Sequence, residues 1–231
     1  MNLAIVGYGK MGQLVEQLAP QYEGQVKLRL DIDNNANFEG LTRENFRGID
    51  AAIEFSTPSA APENIERLAQ LGVNAVVGTT GWFGQMDRAR RAIERAGTAL
   101  VWSPNFSVGV SIFHQIVAQA AQHMARQPDY GAWAWEIHHA TKKDAPSGTL
   151  LALVETMKQN GFHRSIDASA SRAGAHPGTH EIGFDSAADT ITIRHTARSR
   201  EGFARGALRA ARWIVGKKGV FDFREIVGQL D

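Results

Sequence analysis

A short apolar run, Leu3-Ala4-Ile5-Val6, stops at Gly7-Tyr8-Gly9-Lys10-Met11-Gly12, and no other feature restricts the fold of this chain as tightly. An apolar run closed by glycine reads as a buried parallel strand. Leu14, Val15 and Leu18 then fall at helical spacing, and Val26 to Ile32 forms a second β-like run leading into Asp33-Asn34-Asn35. Strand, G-x-G-x-x-G loop, helix and a strand ending in an acid compose the dinucleotide-binding fingerprint. Its glycines let the backbone approach a pyrophosphate, whose charge sits at the helix N-terminus. Gly7, Tyr8, Gly9, Lys10, Met11 and Gly12 are therefore candidate cofactor contacts. Asp33 lies 26 residues after Gly7, close to where an acid holds the adenosine ribose hydroxyls. Asp31 is a near alternative, but alternation along the strand leaves Asp33 as the last acid at its carboxyl end. A βαβ unit whose tight turn serves packing alone is the other reading of the same glycines.

The pattern repeats. Ala51 to Phe55, Val73 to Val77 and Ala99 to Trp102 read as strands, with helices expected over about 62–71 and 83–96. Strands alternating with helices imply an α/β fold, here a Rossmann-like doubly wound parallel sheet. Ligands of such sheets bind beyond the carboxyl ends of the strands. The loops 56–59, Gly78-Thr79-Thr80-Gly81 and Ser103-Pro104-Asn105-Phe106 all fall on that edge. Turn chemistry explains their composition equally well, but their position beside the glycine loop favours cofactor contact.

Beyond Phe106 the character changes. Residues 109–125 form an amphipathic helical stretch, and Trp133 to His139 alternates as a strand, with Glu136 and His138 on one face. There follows Ala140-Thr141-Lys142-Lys143-Asp144-Ala145-Pro146-Ser147-Gly148-Thr149, leading into an apolar helix from Leu150 to Met157. Two histidines near two lysines, before a helix whose first N–H groups can hold a carboxylate, make a candidate active site. One satisfied and one solvated histidine beside an N-capped loop is the plainer alternative. A His-His pair also raises metal binding, but no third ligand of suitable spacing accompanies it, so no metal is expected. The chain has no cysteine, which excludes disulfides and thiolate chemistry. The 25 Lys+Arg against 24 Asp+Glu give no reason to expect nucleic acid or a membrane surface as partner. With no basic leader and no apolar stretch of membrane length, a soluble cytoplasmic protein is expected.

The run Glu136-Ile137-His138-His139-x-x-Lys142-x-Asp144-Ala145-Pro146-Ser147-Gly148-Thr149 closely resembles the signature of the dihydrodipicolinate reductase family. Colinear matches extend the resemblance along almost the whole chain: the glycine loop, Val77 to Gly81, Asn105 to Val110, Ser171 to Gly174, Gly178-Thr179-His180, and Phe203-Ala204-x-Gly206-Ala207. Gly178-Thr179-His180 has threonine where many relatives carry glutamate. The resemblance implies a nucleotide domain over 1–106 and 206–231, with an inserted α+β mixed-sheet domain over 107–205 that binds substrate and assembles a homotetramer.

It also implies the reaction: NAD(P)H-dependent reduction of 4-hydroxy-tetrahydrodipicolinate (dihydrodipicolinate) to tetrahydrodipicolinate, on the route to diaminopimelate and lysine. Hydride would go to C4 of a conjugated cyclic imine and a proton to the neighbouring carbon. By this resemblance His138 is the general acid and Lys142 its cationic partner. His139, Gly148 and Thr149 match substrate-binding positions, and Thr80 sits on a cofactor loop where contact with both ligands is expected. The two ligand groups would lie on different domains, so closure between them is expected. Asp33 favours free ribose hydroxyls because a carboxylate repels a 2′-phosphate, whereas Lys10 and Asn34 soften that preference. NADH is expected to be preferred, with NADPH still used. Two rivals stand beside this reading. One is another NAD(P)-dependent reductase of the same plan; the other is a silent nucleotide-sensing module, which would need neither His138 nor Lys142.

Overall fold

The structure is a computed structural model that describes residues 1–230. The chain opens with β1 (Asn2–Val6), α1 (Lys10–Leu18), β2 (Gln25–Leu30), α2 (Ile32–Asn35) and β3 (Ala51–Glu54). It continues with α3 (Ala61–Gln70), β4 (Asn74–Val77), α4 (Met86–Ala96) and β5 (Ala99–Trp102). Gly7 makes the first turn possible: its φ is +92°, and a Cβ there would lie 2.3 Å from the Phe55 carbonyl oxygen. Only glycine tolerates both conditions.

One expected boundary moves. The apolar alternation that predicted a strand to Ile32 is cut short at Leu30, because Asp31 and Asn34 form a reciprocal capping box. The Ile32 N–H donates to Asp31 Oδ1 at 2.9 Å and the Asp31 N–H donates to Asn34 Oδ1 at 2.7 Å. Two helix-start donors are satisfied at once, so the chain turns, and Ile32 is left 75% exposed.

A second compact unit, Gly109–Arg200, follows. It is carried by α5 (Val108–Met124), β6 (Gly131–His138), α6 (Gly148–Gln159), β7 (Ile166–Arg172), β8 (Thr179–Asp185) and β9 (Thr190–Thr196). Its mixed sheet has the order β7-β6-β8-β9, parallel only between β6 and β7. Ala134, Ile182 and Phe184 line the face that packs on Phe113, Val117, Leu150, Leu153 and Met157 of the two helices. Strand alternation sends Trp133, Trp135 and Ile137 to the opposite face, where they stay partly exposed.

From Glu201 the chain belongs again to the first unit, through α7 (Glu201–Trp213), β10 (Gly219–Asp222) and α8 (Phe223–Ile226). β10 pairs with β5 and completes a six-stranded, all-parallel sheet of order β10-β5-β4-β3-β1-β2. Alternate residues serve the two faces. Leu3, Ile5, Ile53 and Val101 pack with Val15 of α1 and Leu208 of α7, while Ala4, Val6, Val77 and Leu100 pack with Ile65 and Leu68 of α3 and Ile93 of α4. Burying each of the larger aliphatic chains contributes about 1.5–3 kcal/mol. The two sheets are thus the expected doubly wound parallel sheet and a separate mixed one.

Candidate active site

In the first unit the strand ends bring the expected cofactor loops to one edge. The Gly7 N–H donates to the Leu30 carbonyl at 2.8 Å, the Gly78 N–H to the Glu54 carbonyl at 2.9 Å, and the Ser103 N–H to the Val77 carbonyl at 3.3 Å. Phe55 wedges between two of these loops, since a Cβ at Gly7 would meet its carbonyl and a Cβ at Gly78 its ring. Gly9, by contrast, faces open space, and it begins α1 with no side-chain cap. Gly12 packs so tightly that a Cβ would come 2.4 Å from the Gly7 carbonyl oxygen. One glycine makes the turn, one leaves an uncapped helix N-terminus approachable, and one packs the helix on the strand. That division of labour fits a dinucleotide pyrophosphate.

The remaining loop residues divide further. Tyr8 donates from its hydroxyl to Glu16, which Arg29 also grips, and these bonds hold the Glu16 carboxyl down at about 2. Lys10 and Thr80 are exposed, Met11 is half-buried, and Thr79 is buried with its carbonyl accepting from Trp82 Nε1 at 2.8 Å. Ser103 and Asn105 close their own turn, Ser103 Oγ donating to the Asn105 carbonyl at 2.8 Å, and Pro104 is exposed. Phe106 is a core residue, its ring packed at a tilt against Phe223 with centroids 4.8 Å apart, so its side chain is not offered at the edge. Asp33 sits in the first turn of α2, and the acid that directly follows the end of β2 is Asp31.

In the second unit the signature folds around a buried carboxylate. Glu136 has no exposed side-chain surface. It accepts from the Ser147 N–H and from Arg172 Nη2, each at 2.8 Å to Oε1, and from the Ser147 hydroxyl at Oε2. His180 Nε2 lies 3.2 Å from Oε2 and His138 Nδ1 3.5 Å from it. The two imidazoles meet edge to face with centroids 5.1 Å apart. Arg172 Nη2 also donates to the Asp144 carbonyl, so the same guanidinium ties down the loop that carries Lys142. Ser147 caps α6, its Oγ accepting from the Leu150 N–H at 3.2 Å.

His138 is 12% exposed, and its Nε2 edge lies over Gly178, where a Cβ would come within 2.8 Å. Lys142 Nζ pairs with both Asp144 oxygens, at 2.7 and 2.9 Å. His139 Nδ1 lies 2.8 Å from the Thr141 hydroxyl, a bond separate from the buried cluster. Gly148 and Thr149 open α6, directly after the Ser147 cap.

These contacts set the protonation states. Burial works to raise the Glu136 carboxyl, but hydrogen bonds from Ser147 and Arg172 and the field of His138 outweigh it, leaving it below the ordinary carboxylate range. Burial lowers His138; Glu136 and Asp144 oppose that, and Lys142 and Arg172 add to it. His180 is pushed down to about 4, first by burial and then by His138, against the pull of Glu136.

Sequence spacing gave no third metal ligand, yet the fold gathers Glu136, His138 and His180 with ligand atoms within 4.8 Å of one another. Arg172 already takes the place of a cation there, and Ser147 fills the carboxylate's other positions. The cluster is therefore an internal ion-pair network. Ser147, Arg172 and His180 went unassigned in the sequence because their partner is remote: 11, 36 and 33 residues separate them from the Glu136 or Ser147 atoms they meet. The available signal was the shared strand face of Glu136 and His138, together with the otherwise unexplained Ser171 to Gly174 and Gly178 to His180 motifs.

Comparison with known proteins gives a consistent result. Residues 1–106 match the family described as dihydrodipicolinate reductase, N-terminus, and residues 109–227 the family described as dihydrodipicolinate reductase, C-terminus. A 4-hydroxy-tetrahydrodipicolinate reductase of Christiangramia forsetii is 35% identical over 100% of this chain and 99% of its own length. One from Methanosarcina barkeri is 34% identical over 87% of this chain and 81% of its own. Among solved structures, a dipicolinate-bound dihydrodipicolinate reductase from Paenisporosarcina sp. TG-14 superposes with a TM-score of 0.82 at 22% identity, covering 98% of this chain and 99% of that one.

Proposed function

The chain belongs to the dihydrodipicolinate reductase family, and from that premise we propose that it reduces 4-hydroxy-tetrahydrodipicolinate (dihydrodipicolinate) to tetrahydrodipicolinate, with a nicotinamide coenzyme, on the route to diaminopimelate and lysine. The observation that carries the site assignment is His138, mostly buried, with one ring nitrogen toward Glu136 and the other over Gly178. NADH or NADPH supplies the hydride when bound. His138 delivers the accompanying proton, a task suited to a group whose ordinary pKa lies near neutrality. Lys142, already positioned by Asp144, provides positive charge for a dianionic substrate. Thr149, Gly148 and the first N–H groups of α6 hold a carboxylate at the helix N-terminus, and His139 lines the same loop.

On the nucleotide side, Gly7 to Gly12, Gly78 to Thr80 and the main chain of Ser103 to Phe106 form the coenzyme edge. Asp31 is better placed than Asp33 for the ribose hydroxyls because it directly follows the last residue of β2. A carboxylate there favours NADH, with NADPH still accepted. We place the protein in the cytoplasm as a homotetramer. Among the described residues no helix is long and apolar enough to cross a membrane, and the sheet face bearing Trp133, Trp135 and Ile137 supplies apolar surface for assembly. A monomeric mass by light scattering would refute the assembly.

The test is coenzyme oxidation with substrate made in place by condensation of pyruvate with aspartate semialdehyde. Wild-type protein should turn over with both coenzymes and show the higher kcat/KM with NADH. His138→Gln should lose about 10²–10⁴-fold in kcat while still binding nucleotide. No oxidation by folded, nucleotide-binding protein would sink the reductase reading. The same substitution without effect would sink only the role of His138.

A further inference from the structure

The proton transfer as described makes no use of Glu136, yet its carboxylate gathers partners from the α6 cap, from β7 and from β8. We infer that Glu136 is a positioning residue for this step: fixed by Ser147 and Arg172, it holds the His138 ring through Nδ1 and leaves Nε2 as the edge that carries the transferable proton. The inference rests on the reading of His138 as the general acid.

The geometry supports it in three ways. Glu136 and His138 are two apart on β6, so strand alternation puts both on one face of the sheet. His138 Nδ1 is buried without a hydrogen-bond partner, and Glu136 Oε2 stands 3.5 Å away. Catalytic hydrogen bonds are commonly long before ligands bind and tighten in the complex. Finally, His180 does not compete as a cation. With its pKa near 4 it is neutral at working pH, and its Nε2 is available as a donor to the same carboxylate.

The groups facing His138 come from every neighbouring element. Glu136 on β6 and Asp144 on the loop favour its charged form, Lys142 on the loop and Arg172 on β7 oppose it, and the His180 ring on β8 packs against it. Burial already drives His138 toward the neutral form, so the Glu136 carboxylate is what keeps a proton available for donation. Were Glu136 merely a clamp for the 140–147 loop, its loss would lower turnover or raise KM without moving the pH dependence.

Two measurements test this. In wild-type protein, the ¹⁵N shifts of the His138 ring should report the Nδ1–H tautomer in the neutral form; the Nε2–H tautomer would overturn the inference without any mutation. In Glu136→Gln, the alkaline limb of the kcat–pH profile should move down by about 1–3 units, because an opposite charge a few ångströms away has been removed. Activity at neutral pH should fall tenfold or more, and Glu136→Asp should restore part of it. An unmoved limb in folded Glu136→Gln would reduce Glu136 to a structural clamp. If that variant does not fold, the wild-type tautomer decides. A wild type that reduces nothing refutes the reductase reading instead, and the tautomer still reports the Glu136–His138 contact.

Discussion

Two glutamates lie fully buried near the carboxyl ends of central strands, Glu54 at the end of β3 and Glu136 in β6. Their surroundings send them in opposite directions. Glu54 Oε1 accepts from neutral groups, the Ser56 N–H at 3.2 Å, the Ser56 hydroxyl and Asn64 Nδ2 at 3.2 Å, while its Oε2 is buried without a hydrogen-bond partner. Burial therefore dominates and raises its carboxyl. Glu136 meets a guanidinium and two imidazoles, and its carboxyl is lowered despite burial. The first unit uses its buried acid as a polar knot that ties the Ser56 turn to Asn64 of α3. The second holds its acid as a charge, set beside the His138 ring that we propose as the proton donor. Burial alone does not decide what a carboxyl is; its nearest donors do.

The largest effect should come from breaking the charged site. Arg172→Met leaves Glu136 buried without its cation and should cost about 3–5 kcal/mol in urea unfolding. The double variant Glu136→Gln/Arg172→Met should recover at least half of that loss, since a neutral amide still accepts the Ser147 N–H. If the double variant were no more stable than Arg172→Met, the pair would be ordinary packing, and the contrast with Glu54 would lose its basis.

A somewhat smaller effect is expected from acid. His180 has a folded pKa of about 4, below its ordinary 6.5, so the folded state binds fewer protons than the unfolded one. The stability this brings is fully present above about pH 6.5 and is lost as pH falls toward 4, up to about 3 kcal/mol in all. Amide exchange should quicken in β6 and β8 over that window while β1 and β3 stay protected, and His180→Gln should flatten the response. Equal loss of protection in both sheets would show that acid acts on the molecule globally.

How far the sequence revealed these sites follows from the range of the interactions. The glycine loop was legible because turn, approach and packing are all settled within Gly7 to Gly12. The face shared by Glu136 and His138 was legible because a strand alternates every two residues. The end of β2 is not legible in the sequence, since Ile32 continues the apolar alternation and only the Asp31–Asn34 capping box turns the chain. Phe106 read as loop chemistry, but its core partner Phe223 comes from a part of the chain with no local link to it. The Glu136 network was hidden for the same reason: Arg172 reaches it through the β6–β7 pairing and His180 through the β6–β8 register. Local pattern specifies elements and faces, but ion-pair networks appear only once register is fixed.

The smallest effect, and the most discriminating one, should come from Glu54→Gln. Because burial raises the folded-state pKa of Glu54, the folded protein binds more protons than the unfolded chain above the ordinary carboxylate pKa near 4.3. Stability tied to Glu54 is thus complete below that pH and is lost as pH rises toward the folded value. Glutamine is nearly isosteric with the protonated acid and can still meet Ser56 and Asn64, so in mild acid the variant should lie within about 1 kcal/mol of wild type. With rising pH it should become the more stable of the two. Glu136→Gln must show the reverse trend, because the lowered Glu136 carboxyl contributes stability only above its ordinary pKa, and that contribution is lost as pH falls. Unfolding curves for both variants across pH therefore compare one substitution in two buried sites. Slopes of opposite sign relative to wild type follow from the neutral and charged surroundings described here, and slopes of the same sign would mean that one of the two carboxyls has been assigned the wrong charge.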